Sequence, residues 1–315
     1  FNFFKKKSVF RKFFYCLFFS LVFILIIISR RPDAITNPQF WAENGAVWYA
    51  NAYNLGCLKP IFLAPAGHFQ PIPNVVAAIA QLFPLIYGPI IFNIVAIIIQ
   101  FLSILLIISP RFDKLVPSLP IKLFLILIYL LMPNTSEVYI NLSNSPWYLA
   151  ISASIVLLTE VSVKSLWNWF DGAILFLSGL SGPFSVFLLP VAGFRWYKLR
   201  SRPALRNFFI IIITGLTQLS AIFLVGGRAN LPSELSLQAF LTILSRQIIW
   251  GSLVGPNGYD WVLDKIPWYP LFFTITTFFG LVIIVYALLK APNELKLFTL
   301  FAGLNFFASL IAFAR

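Results

Sequence analysis

Carboxylates are scarce in this chain: Asp and Glu together number 10 among 315 residues. One of them, Glu43, lies in a polar, turn-rich segment, Asn37-Pro38-Gln39-Phe40-Trp41-Ala42-Glu43-Asn44-Gly45, between two apolar stretches. A charge kept beside an apolar bundle is costly to hold without a partner or a task. A carboxylate next to an acceptor hydroxyl acts as general base, and Arg or His stabilises a departing phosphate. The chain offers such groups in further polar islands: His68 with Gln70, then Glu137, Asn141 and Asn144, then Arg228 and Arg246. With Asp33 they describe a site for a substrate with an anionic head and a long apolar tail. Asp33, Glu234, Asp260 and Asp264 sit beside Pro, Gly or Asn and also read as ordinary turn residues. His68, the single histidine, also reads as a structural or solvated loop residue.

The elements that must carry these groups follow from composition. The chain is 60% hydrophobic, 17% aromatic and 10% charged, with a mean hydropathy of +0.89; soluble domains carry about 25% charged residues. Apolar windows at 13–29, 89–109, 207–226, 271–289 and 297–313 have the length of spanning helices and do not alternate as barrel strands do. The expected fold is therefore all-α, a polytopic transmembrane helical bundle of about 8–10 spans whose outward loops carry short helices. The net charge of +13 is concentrated in clusters that flank apolar spans: Lys5, Lys6, Lys7, Arg11 and Lys12, then Arg195, Lys198, Arg200, Arg202 and Arg206, then Lys290 and Lys296. That pattern reports a cytoplasmic N-terminus and anionic lipid rather than nucleic acid. Cys16 and Cys57 imply neither a disulfide nor a metal framework.

We read residues 1–315 as one transmembrane domain, expected to belong to a longer chain. A first span covers 12–29 and a first external loop 30–70, despite the contrary Arg30-Arg31. Central helices fill 71–226, an external loop 227–267, and the last spans 268–315. Residues 71–84 either lie along the surface or cross at a tilt. Ser178-Gly179-Leu180-Ser181-Gly182-Pro183 breaks a helix at 178–183, giving either one span with a broken middle or a pair of short helices; at membrane depth such a break lines a cavity. Nearly all charge is expected in loops, and the Trp residues of 227–268 suit an interface.

The order of these features resembles the membrane module of the C-type glycosyltransferase superfamily, which includes protein O-mannosyltransferases and lipid A aminoarabinose transferases. Phe40-Trp41-Ala42-Glu43-Asn44-Gly45 occupies the place of that family's acidic first loop. Gly67-His68-Phe69-Gln70-Pro71-Ile72-Pro73 is similar to its entry into the next helix, Pro133 through Trp147 to its second polar point, and Gly179 through Pro190 to its Gly-Pro break. Departures are Asn44 in place of a second acid, Gln70 and Ser181 in place of lysines, and Asn144 in place of an Asp.

The resemblance implies an enzyme that transfers a sugar, with inversion, from a polyprenyl-phosphate carrier to a glycan, lipid or protein acceptor at the outer side of a membrane, expected to be the bacterial inner membrane. Glu43 would be the base or help hold a divalent metal ion that some relatives use. His68 and Gln70 would hold acceptor or phosphate, and Arg228 or Arg246 would neutralise the leaving phosphate. Glu137, Asn141 and Asn144 would complete the substrate site. Two other classes stay open, a transporter or flippase of an amphipathic substrate and a non-catalytic assembly subunit of the same fold.

Overall fold

Every regular element among the described residues is helical, as expected where apolar runs must satisfy their own backbone groups. The computed structural model describes residues 17–65, 67–133, 135–162, 164–225, 243–265 and 268–313. The long helices are α1 (Leu17–Arg30), α5 (Gly88–Ile108), α6 (Leu119–Leu131), α7 (Ser145–Leu158), α8 (Ser165–Leu180), α9 (Phe184–Leu199) and α10 (Arg202–Val225), then α12 (Tyr269–Lys290) and α13 (Asn293–Phe313). Short pieces sit between them. They are α2 (Asp33–Thr36), a π-helix at Asn44–Tyr49 that runs into α3 (Ala50–Leu55), α4 (Pro71–Ala80), and a second π-helix at Ile243–Trp250 that runs into α11 (Gly251–Lys265). Three stretches, Leu85–Ile108, Arg202–Val225 and Leu271–Lys290, are long and apolar enough to cross a membrane.

Contacts sort the helix ends into two groups. At one end, the start of α8 meets the turn after α5 through Arg111 and Asp171. There too, Arg195 near the end of α9 donates to Leu157 O and Thr159 O after α7 and pairs with Glu294 at the start of α13. We call this the ionic end. At the other, the close of α1, the close of α6, the start of α7 and the α8–α9 turn gather around the first loop: Arg30 donates to Leu130 O and Met132 O, and the rings of Trp147 and Phe184 lie 4.8 Å apart. This is the loop end.

That sorting resolves the 178–183 break. α8 and α9 are two antiparallel helices of 16 residues each, about 24 Å long, and the break is their turn at the loop end rather than a gap at mid-depth. Gly182 makes the turn at φ +151°, and Pro183 supplies no amide to extend α8. Helix α4 stays at the loop end. The chain before it is tied to α10 by Phe69 and Gln218, and Gln81 after it donates to Tyr49 O at 3.4 Å. Its 10 residues reach about 15 Å, half a hydrocarbon core.

The core runs through the bundle, with Ile27, Trp48, Phe92, Leu130, Leu149 and Leu188 almost fully enclosed. Helices α8 and α10 approach so closely that a methyl group on Gly179 would lie 2.1 Å from Thr214 Oγ1. Contrary to the expectation that charge stays in loops, Lys122, Asp171 and Arg195 lie within α6, α8 and α9 and are buried. All three sit toward the ionic end of their helices, where a partner is in reach. The segment expected as an external loop at 227–267 is helical from Ile243 to Lys265, with a kink at Gly255 (φ 74°). It reaches the loop end, since a methyl group on Gly255 would lie 3.0 Å from Pro133 Cβ.

Candidate functional site at the loop end

The first loop is seated by an aromatic wedge. Phe40 Cβ would lie 2.9 Å from a methyl group on Gly45, and its ring tip 2.8 Å from one on Gly88. The ring also packs edge-on against Phe92 at 5.4 Å. From this seat the chain turns at Ala42, whose φ of 47° is a left-handed conformation that costs an L-residue about 1–2 kcal/mol. Glu43 follows at once in the N-cap position of the π-helix, its side chain making no capping bond, where the positive end of the backbone dipoles favours a carboxylate. Glu43 is exposed, and no described residue pairs with its carboxylate.

Asn44 points the other way. It is 1% exposed, donates to Asn141 Oδ1 at 3.3 Å and accepts from Ser143 N at 3.1 Å and Ser143 Oγ at 2.8 Å. Trp48, one turn on, donates its indole N–H to the same Ser143 Oγ at 2.8 Å. Asn141 accepts from Ser143 N and donates to Glu137 O at 3.0 Å. Its amide is therefore spent within the protein, and its place is that of a clasp rather than of a ligand contact. An Asp at position 44 would set a carboxylate oxygen against Asn141 Oδ1. Position 44 is thus an amide for a local reason.

Asn144 is half-buried and donates to Glu137 O at 3.1 Å, leaving the exposed Glu137 carboxylate without a described partner. Ile140, directly before Asn141, has φ 47°, a rare state for a β-branched residue. It persists because the side chain is fully buried and Arg31 holds the carbonyls of Tyr139 and Ile140 at 3.0 and 3.2 Å. Each of the two loops therefore carries a left-handed non-glycine residue immediately before a site candidate, Glu43 in one and Asn141 in the other. Such strain is kept only where surroundings over-determine it.

Arg30 and Arg31 explain their own oddity. Arg30 satisfies the last carbonyls of α6 and lies 4.4 Å from the centroid of the Tyr139 ring; Arg31 lies 4.6 Å from that of Trp41. Arg30 binds backbone that a helix end leaves open and Arg31 binds carbonyls of the turn that follows, so their charge is structural. Burial pushes the Tyr139 phenol up, against the opposing pull of the Arg30 guanidinium.

His68 and Gln70 form a second cluster. Gln70 Nε2 and His68 Nε2 are 2.9 Å apart, and Asn74 Nδ2 donates to Gln70 O at 3.1 Å. Gln218 of α10 grips the main chain of Phe69 in both directions, at 2.9 and 3.1 Å. Gln218 stands one turn from Thr214, which touches Gly179 of α8. Beyond Gly179 lie Ser181 and then Gly182, whose added methyl would lie 3.4 Å from Pro146 Cβ at the start of α7. A continuous path of contacts thus links the His68 cluster to the Asn44–Asn141 clasp. Along it, the buried oxygens Gln70 Oε1, Asn74 Oδ1, Ser145 Oγ, Ser178 Oγ and Ser181 Oγ have no hydrogen-bond partner among the described residues.

Arg246 is half-buried on the second π-helix, whose Trp250 is bonded to Thr276 of α12 at 2.7 Å; Arg228 lies outside the described residues. Among the described residues no three His, Cys, Asp or Glu side chains gather as a metal site requires, so the divalent ion that the resemblance allows finds no ligand set there. Asn74, Gln218, Arg30 and Arg31 escaped the sequence reading. The signal for the arginines was their contradiction of the charge pattern; for the amides it was polar residues inside apolar helices.

The chain matches no family model, no curated protein and no solved structure.

Proposed function

We propose that this is an integral membrane protein of about 8–10 spans, N-terminus cytoplasmic, that transfers a sugar from a polyprenyl-phosphate carrier to a hydroxyl acceptor at its loop end. The acceptor oxygen attacks the anomeric carbon, the bond from that carbon to the phosphate oxygen breaks, and its electron pair leaves on the phosphate. Glu43 takes the acceptor proton. The single observation that carries this reading is the contrast at 43 and 44: an exposed carboxylate with no described partner, next to a fully spent amide that fixes where it stands. Oriented groups that need no rearrangement at the moment of reaction are what a general base requires. Glu137, one clasp away, and His68 line the same end of the bundle, and Arg246 is the described cation nearest in role to a phosphate partner.

The test is sugar transfer in proteoliposomes from a polyprenyl-phosphate-linked donor. Glu43→Gln is expected to lower the rate at least ~100-fold, in the range of a lost general base, while the protein folds normally. Undiminished transfer would remove Glu43 from this role.

One observation favours a second reading, a flippase for the same amphipathic class. Gln100, within α5, is fully buried, and among the described residues neither amide atom has a hydrogen bond of normal geometry, although the Tyr139 phenol lies close enough to interact with it; poorly paired polar groups inside a span also line transport paths. Lipid-linked sugar crossing vesicles without transfer, and crossing less when Gln100 is replaced by Leu, would favour that reading.

A further inference from the structure

Gln70 is 7% exposed and Asn74 1%, and they stand one turn apart at the start of α4. Their donors are engaged, Gln70 Nε2 with His68 and Asn74 Nδ2 with Gln70 O. Their oxygens, Gln70 Oε1 and Asn74 Oδ1, are buried with no partner among the described residues. Turning the Asn74 amide over would bring its oxygen onto Gln70 O, so its orientation is fixed; that of Gln70 follows the proton on the His68 ring, and either way round one of its amide atoms stays open. The loop cannot rotate to satisfy these groups either, because Gln218 holds both main-chain groups of Phe69. A single buried acceptor without a donor is costly, and the Asn74 oxygen, with the open Gln70 amide atom one turn away, is a demand for O–H groups from outside the chain.

The geometry points to a subsite at the start of α4 that takes the hydroxyl groups of a neutral sugar or polyol. The chemistry selects that class. Lone pairs on two amide oxygens repel a phosphate. Amide carbonyls can ligate a metal ion, but the described residues add no cluster of charged ligands to neutralise one. Vicinal hydroxyls match paired acceptors and would find the half-exposed imidazole of His68 beside them. Buried polar groups of this kind discriminate strongly against a ligand that lacks the matching donor. The assignment rests on the sugar-transfer reading above for what the sugar is doing there, and it gives His68 and Gln70 the sugar rather than the phosphate.

The experiment uses the full chain in phospholipid nanodiscs and saturation-transfer NMR with methyl α-glucoside, methyl α-mannoside and inorganic phosphate as separate probes. One of the glycosides is expected to show saturation transfer, and phosphate is not expected to displace it. Asn74→Leu is expected to weaken the glycoside about fivefold, the loss of one hydrogen bond, with an unchanged or higher melting temperature. Gln70→Leu, which removes the other amide and leaves the Asn74 bond to Gln70 O in place, is the second variant and should weaken the glycoside to a similar extent. No glycoside signal, a signal undiminished in Asn74→Leu, or displacement by phosphate would overturn the subsite and leave those oxygens to buried water. Repeating the measurement in Glu43→Gln separates the two readings. Binding kept with no transfer activity in the unmutated protein sinks the enzyme alone, and transfer without glycoside binding sinks the subsite alone.

Discussion

The two ends of the bundle handle polar groups in opposite ways. At the ionic end the buried charges have partners: Arg111 meets both oxygens of Asp171 at 2.6 and 2.8 Å, Arg195 spans two carbonyls and Glu294, and Lys122 bonds Ser109 O and Asp113. At the loop end the groups are mostly neutral, and among the described residues five buried oxygens are left open, against Arg111 Nε and Asn168 Oδ1 at the ionic end. Pairing makes the ionic end a fastener between helices. Incomplete pairing at the loop end contributes nothing to holding helices together, and it is the opening that the proposed subsite uses. A buried polar group is informative about function in proportion to how poorly the fold itself satisfies it.

The sharpest way to break this contrast is at Arg111. Replacing it with Met strands the Asp171 carboxylate, which is fully buried, and is expected to cost about 3–5 kcal/mol. Arg111→Met with Asp171→Leu should recover most of that loss, as denaturant titration of the two variants in detergent will show. Next comes the loop-end clasp. Asn44→Leu removes two bonds to Ser143 and one to Asn141 and should cost about 1–3 kcal/mol, with sugar transfer falling because Glu43 loses its anchor. Asn44→Asp should behave alike rather than supply a second catalytic acid, and rate measurements on both variants decide it. At the unpaired hydroxyls the sign reverses: Ser178→Ala and Ser181→Ala should leave the melting temperature unchanged or raise it by the equivalent of about 1 kcal/mol. A marked destabilisation there would show that the loop end is satisfied after all, through ordered water. The smallest effect belongs to Ala42→Gly, where relief of the left-handed turn, about 1–2 kcal/mol, is offset by about 0.5–1 kcal/mol of glycine entropy.

The same contrast governs what could be read from the residues alone. Helicity was legible because apolar runs without alternation leave the backbone few other ways to satisfy itself. Glu43 stood out because acids are rare, and its exposed, unpartnered state agrees with that. The role of Asn44 was hidden, since it depends on Ser143, 99 positions away, and no local pattern announces such a bond. Asp171 was missed because a single acid inside an apolar helix gives no sign of a partner that belongs to a turn 60 residues earlier. The Ser-Gly-Pro break was visible, but whether it interrupts a span or joins two depends on where Asp171 and Arg195 end up. That is a fact about packing.

The Phe40 wedge bears on how this loop could be exchanged or engineered. Its ring is admitted between two positions that tolerate no side chain, Gly45 and Gly88, one in the loop and one at the head of α5. The first loop is therefore keyed to its scaffold. A loop grafted from another protein would seat only with its own wedge and a matching bare wall at position 88, and alanine at 88 alone should unseat the native one. Between the wedge and the π-helix, the backbone of Trp41 through Glu43 is already committed, so an engineered change there acts through the side chain alone.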